Sequence, residues 1–171
     1  MAIQKSSLEN FINDEGSLLY KVNGKSMLPM LRPNRDLVYI RKKRSDEFFK
    51  ENDVVLYKWH GRLILHRIVH VRSQGVYDIL GDNASRIDRS VSNDEIIGIL
   101  HKFYRDNVAY EMDSKIYLSY VNRTRQNERL RIRKKYIYDL IVSTLSFLPV
   151  SCLEKLKRIL KFLLNYNYRF E

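Results

Sequence analysis

Between Leu18 and Tyr104, short apolar runs alternate with turn residues, and that rhythm restricts the first two thirds of the chain to antiparallel β-structure. The runs cover residues 18–22, 36–41, 53–58, 63–71, 76–80 and 96–104 and are rich in Val, Ile, Leu and Tyr. Asn23-Gly24, Pro33-Asn34, Asn52-Asp53, His60-Gly61, Gln74-Gly75 and Gly81-Asp82 punctuate them. His60-Gly61 reads as a tight hairpin turn. Strands at this spacing predict a closed or coiled antiparallel architecture, preceded by a short helix over residues 6–15.

After about Asp113 the texture becomes helical. Residues 115–135 are charged with sparse apolar positions, 136–148 are apolar, and 151–168 repeat Leu153, Leu156, Ile159 or Leu160, and Leu163 at helical spacing. The chain therefore divides into a mainly β domain, residues 1–113, and a helical appendage, residues 114–171. Charge divides the same way. The net +11 falls mostly on residues 115–171, which hold 13 basic and 4 acidic side chains, against 18 and 16 in residues 1–114. Any surface that seeks an anionic partner is therefore C-terminal.

The rest of the composition excludes whole classes. A single cysteine, Cys152, removes an internal disulfide framework and a multi-thiolate metal cage. Four scattered histidines without a His-x-x-x-His helix predict no zinc site, and no cofactor motif is present. The longest apolar stretch, residues 140–150, is interrupted by Ser143, Thr144, Ser146 and Pro149 and falls short of the roughly 18 residues a spanning helix needs. Residues 1–24 carry Glu9, Asp14 and Glu15 and do not read as a secretory signal. The expectation is a cytoplasmic or membrane-peripheral protein.

Three segments carry possible chemistry. In Gly24-Lys25-Ser26-Met27-Leu28-Pro29-Met30-Leu31, a serine follows a strand end at a Gly-containing bend, with a proline stiffening the exit. Such a bend can present a hydroxyl and nearby N–H groups to a developing oxyanion, although most serine turns are only turns. In Leu63-Ile64-Leu65-His66-Arg67-Ile68-Val69, a histidine lies mid-strand, where its nitrogens require partners and its near-neutral pKa suits a general base. His60, His70 and His101 are less well placed. In Ile79-Leu80-Gly81-Asp82-Asn83-Ala84-Ser85-Arg86-Ile87-Asp88, two carboxylates follow a glycine turn; either one, close to a histidine, would fix its tautomer.

In this order, Ser-Met-x-Pro-x-Leu, then His-Arg-Ile-Val, then Gly-Asp-Asn with a further Asp, the sequence resembles the type I signal peptidase family and the related self-cleaving repressor domains. The likeness runs from about Leu18 to Leu100. Typical bacterial members and the repressors place lysine at the base position, whereas the endoplasmic-reticulum-type branch places histidine, so His66 resembles the Ser-His branch. The resemblance implies Ser26 as nucleophile, His66 as general base, Asp88 as third member, Asp82 as structural or electrostatic support, and the Ser26 N–H as an oxyanion donor. Some bacterial members carry a serine two positions before the nucleophile; here that position is Gly24. Family members usually carry a spanning helix just before the nucleophile, and none is read here.

The function expected on this basis is a serine endopeptidase that cleaves a specific precursor or leader peptide, such as that of a ribosomally made modified peptide. The alternatives are a non-catalytic regulator or peptide-binding module on the same fold, and an auto-processing protein. The basic run Arg123, Arg125, Arg129, Arg131, Arg133, Lys134 and Lys135 reads first as a solvated helix face. Its functional readings are contact with anionic lipid or with an acidic peptide or nucleic acid. No nucleic-acid reading motif accompanies the nearby Tyr136, Tyr138, Tyr166 and Tyr168. The apolar segment 136–148 is expected to pack on the β core or on a second copy of the chain.

Overall fold

A computed structural model describes residues 5–164 and residue 170. Helix α1 (Lys5–Glu15) leads into strands β1 (Ser17–Lys21), β2 (Leu37–Lys42), β3 (Val54–Trp59), β4 (Arg62–Ser73), β5 (Val76–Leu80) and β6 (Asp88–Ser92). A 3-10 turn (Asn93–Glu95) precedes β7 (Ile96–Arg105) and β8 (Val108–Glu111). The eight strands form one antiparallel curled sheet ordered β1-β2-β7-β3-β4-β5-β6, with β8 on β7. Helices α2 (Lys115–Gln126), α3 (Glu128–Thr144) and α4 (Val150–Leu163) follow. The architecture is the mainly β fold with C-terminal helices that the sequence predicts.

The six expected runs coincide with β1–β5 and β7 to within two residues at each end. At the β3–β4 hairpin, Trp59 pairs Arg62. His60 and Gly61 both take positive φ, 46° and 71°, as a two-residue turn between twisted strands requires. The chain breaks at Asn127, so α2 and α3 divide the expected 115–135 helix. The last expected helix ends at Leu163; its continuation to 168, with Tyr166 and Tyr168, lies outside the described residues.

Strand β3 explains why both faces of the sheet are buried. Val54 and Leu56 belong to one core cluster, with Met27, Met30, Leu31 and Phe103; Val55 and Tyr57 belong to the other, with Ile68, Tyr77, Ile79 and Val91. This is the period-two alternation of a strand covered on both sides. The helical region is not a separate layer throughout: Tyr117, Tyr120 and Val121 of α2 are buried in the first cluster. Beyond them, burial stops almost entirely, since α3 buries only Arg131 and α4 only Leu160.

Candidate active site

Ser26 lies in the loop between β1 and β2, which is pinned by its own apolar side chains. Met27, Met30 and Leu31 are at most 2% exposed. Beneath it, the buried Arg105 donates to the Met30 carbonyl at 2.6 Å and to Asp36 Oδ2 at 2.8 Å. From the other side the turn after β5 clamps the serine. The Asn83 N–H donates to the Ser26 carbonyl at 2.6 Å, and Asn83 Nδ2 donates to the Lys25 carbonyl at 3.0 Å.

His66 sits in β4 opposite Val55 of β3, so Tyr57, two residues further along β3, shares its face. The Tyr57 hydroxyl lies 3.3 Å from His66 Nδ1 and donates to Asp88 Oδ2 at 2.5 Å. Asp88 stands at the start of β6, paired with Ile79. Its Oδ2 is 3.9 Å from Nδ1, so phenol and carboxylate together face that nitrogen. The opposite nitrogen faces the serine loop. A Cβ added to Gly81 would meet the Ser26 carbonyl oxygen at 2.7 Å and His66 Nε2 at 2.8 Å, so serine and imidazole converge on a point that only a hydrogen leaves open. Gly24 is close to the hydroxyl itself, since its added Cβ would stand 3.9 Å from Ser26 Oγ.

Electrostatics follow from this packing. Burial holds His66 below its ordinary pKa, while Asp88 and, more weakly, Asp82 pull it back up. The ring is therefore neutral at pH 7. Burial, and then the Asp88 hydrogen bond and charge, push the Tyr57 phenol far above its ordinary value, so it keeps its proton and donates to Asp88. The phenol oxygen is then free to accept from Nδ1–H. That bond fixes the tautomer in which Nε2 carries the lone pair.

Asp82 is elsewhere. It is 3% exposed and grips Arg67, whose Nε and Nη2 donate to its two oxygens at 2.9 and 2.8 Å. Arg67 also donates to the Tyr117 hydroxyl at 2.7 Å, the Asn52 carbonyl at 3.0 Å and Met30 Sδ at 3.1 Å. Tyr120 donates to Asp82 Oδ2 at 2.8 Å. The carboxyl titrates below its ordinary value: burial works to raise it, but the charge and hydrogen bonds of Arg67, with Arg131 and Tyr120, outweigh burial. Arg131 of α3 donates to the Asp82 carbonyl and, at 3.4 Å, to that of Gly81. Ser85 donates to Asp139 of α3 at 3.1 Å.

Of the sequence-predicted residues, the structure thus groups Ser26, His66 and Asp88 and sets Asp82 behind them on Arg67. Sequence reasoning missed Tyr57, Arg67, Tyr120 and Arg131; the signal available for Tyr57 was its hairpin register to His66. Among the other histidines, His70 pairs with Glu51 in solvent at 3.2 Å, and His60 packs on Trp59 in the turn. A mainly apolar groove of about 280 Å³ opens beside Ser26, lined by residues including Leu18, Tyr20, Val22, Leu31 and Val38. Among the described residues, no His, Cys, Asp and Glu cluster could hold a metal ion, and no helix is long and apolar enough to cross a membrane.

A family model described as Peptidase S24-like matches residues 3–101, a span that includes Ser26, Tyr57, His66, Asp82 and Asp88. No curated protein was found to match the chain.

Proposed function

We infer that this chain, which belongs to the Peptidase S24-like family, is a serine endopeptidase with Ser26 as nucleophile and His66 as general base. The observation that carries the reading is the polarity of the His66 ring: Nδ1 faces Tyr57 and Asp88, while Nε2 meets the Ser26 loop across Gly81. In the reacting complex the Ser26 hydroxyl turns onto Nε2, a step that substrate-free structures often leave open. Oγ attacks the scissile carbonyl and its proton passes to Nε2. The imidazolium is stabilised by Asp88 through the phenol oxygen of Tyr57. The tetrahedral intermediate collapses, the C–N bond breaks, and the Nε2 proton leaves with the amine. Water then hydrolyses the acyl-Ser26 ester with His66 again as base.

The Ser26 N–H is the oxyanion donor in this reading. Position 24 offers no hydroxyl, and loss of one donor typically lowers turnover by roughly 10²–10³, which suits slow processing of one dedicated substrate. The apolar groove at Ser26 supports an extended peptide with aliphatic side chains before the cut. The substrate class proposed is a precursor or leader peptide. A peptide library read by mass spectrometry tests this: the wild type cleaves a defined subset, and Ser26→Ala and His66→Ala lose turnover by several orders of magnitude while remaining folded. Equal cleavage by Ser26→Ala would sink the assignment. Binding of peptides by the wild type without cleavage would make the chain a binding module on a peptidase fold.

A further inference from the structure

The end of the helical region is built unlike the rest of the molecule. Helices α3 and α4 and the turn between them expose Phe147 by 77%, Val150 by 78%, Phe162 by 79% and Leu163 by 69%. Ile159 is 54% exposed and Leu140 52%. On α4, Cys152, Ile159 and Leu163 are spaced by seven and four residues and form one stripe, with Phe162 beside it. Lys155, Arg158 and Lys161 stand exposed between these apolar positions at intervals of three. Isolated apolar side chains on a surface mean little, but several large ones sharing a short hairpin mark a surface that is covered in use.

Charge selects what covers it. The hairpin beyond Asp139 carries Lys155, Lys157, Arg158 and Lys161 against Glu154 alone, so two copies brought face to face repel, whereas an anionic surface is attracted. Length selects further: α4 has 14 residues, about 21 Å of helix, and a bilayer core is about 30 Å thick. Such a helix lies in the interface and does not span. We propose that the α3–α4 hairpin docks this protein on an anionic membrane surface, with Phe147, Phe162 and Leu163 entering the interface and Lys155, Arg158 and Lys161 meeting lipid phosphates.

The docking element is joined to the candidate active site. Asp139 of α3 accepts from Ser85, just past the Gly81-Asp82-Asn83 turn, and α3 ends at Thr144, five residues or about 7.5 Å of helix later, with Phe147 in the turn beyond it. Docking therefore attaches to the membrane surface the element that holds the turn clamping Ser26. Resting on the peptidase reading, this narrows the substrate to a precursor whose cleavage site lies at or near the bilayer.

Flotation of the full chain on phosphatidylcholine vesicles, with and without phosphatidylglycerol, tests the docking independently of catalysis. The wild type is expected to float only with phosphatidylglycerol. Lys155→Gln/Arg158→Gln/Lys161→Gln should weaken binding by about 10²-fold, at about fivefold per cation, and Phe147→Ser/Phe162→Ser/Leu163→Ser by at least tenfold. Both variants should keep the wild-type circular dichroism spectrum and melt. Wild-type protein that stays unbound, or that floats equally on pure phosphatidylcholine, overturns the proposal. So does a dimer by light scattering that the Phe/Leu variant converts to monomer, because a second copy would then cover the face. Peptide cleavage without vesicles is expected to be unchanged in both variants, so loss of flotation and failure of the peptidase assignment read out separately.

Discussion

Replacing Asp82 by Asn tests the division of labour between the two aspartates. Asp82 and Arg67 side chains are each 1% exposed and joined by two hydrogen bonds at 2.9 and 2.8 Å. The substitution leaves the guanidinium charge buried among Tyr117, Tyr120 and Met30 without its hydrogen-bonded counter-ion. Breaking one side of a buried pair destabilises by about 3–5 kcal/mol. For a chain of this length each kcal/mol lowers Tm by about 2–4 °C, so Asp82→Asn should melt roughly 6–20 °C below the wild type. Asp88→Asn is the counterpart. Its carboxylate is 21% exposed and holds no buried cation, so Tm should move by only a few degrees while kcat/KM falls about 10³-fold or more, through loss of imidazolium stabilisation. Melts by circular dichroism, with hydrolysis measured well below the transition, read the two effects separately. The pH dependence has a definite sign. The Asp82 carboxyl titrates below its ordinary value despite burial, because Arg67 favours its ionised form. Its contribution is therefore complete above about pH 4 and lost as pH falls through the lower folded value; Asp82→Asn should lack that acid limb. An Asp82→Asn melt indistinguishable from the wild type, or an Asp88→Asn that loses stability and keeps activity, refutes the reasoning.

Three further outcomes follow from the same geometry. Gly81→Ala places a Cβ 2.7 Å from the Ser26 carbonyl oxygen and 2.8 Å from His66 Nε2, closer than atoms pack; activity should fall at least 10²-fold in the peptide assay, more than a melt shift of a few degrees accounts for. Because burial holds His66 below its ordinary value of about 6.5, wild-type kcat/KM should be level at pH 7 and fall only as pH drops through a midpoint below 6.5. Asp88→Asn removes the main group opposing burial, so its midpoint should move lower still, and a midpoint that rises would contradict the arrangement.

Much of this was legible in sequence because strands announce themselves by alternation. The missed strands show where that signal fails. β6 reads Asp-Arg-Ser-Val-Ser and buries only Val91, so nothing apolar marks it. β8 is four residues beside β7, with positive φ at Asp106 and Asn107 in its turn. Ser26, His66 and Asp88 were singled out by their order along the chain, and the structure sets Asp88 and the Ser26 loop on opposite nitrogens of His66. Tyr57 was not, because in Val-Val-Leu-Tyr-Lys-Trp it looks like one more core residue; only the pairing of Val55 with His66 puts it on the imidazole's face. Arg131 was hidden in a different way. In a run of cations a solvated face is the ordinary expectation, yet this one is 3% exposed and donates to two carbonyls of the Gly81-Asp82 turn. Composition reports how many charges a helix carries, not which of them faces inward.

The adjacency of His66 and Arg67 then explains why the candidate site holds two aspartates. Successive residues of a strand point to opposite faces, so β4 delivers an imidazole to one side of the sheet and a guanidinium to the other with no connecting loop. On the imidazole side Asp88 is reached through Tyr57, which leaves the ring neutral and its Nε2 lone pair exposed toward Ser26. On the guanidinium side Asp82 absorbs the full charge of Arg67 and fixes the turn whose next residue, Asn83, clamps the Ser26 and Lys25 carbonyls. A single carboxylate cannot serve both: bound to Arg67 it would be unavailable to an imidazolium, and shared with His66 it would leave a buried cation short of a partner. Tyr117 and Tyr120 of α2 and Arg131 of α3 complete the guanidinium side. The first part of the helical region is therefore structural support for the serine loop, while the hairpin beyond Asp139 leaves Phe147, Val150, Phe162 and Leu163 in solvent.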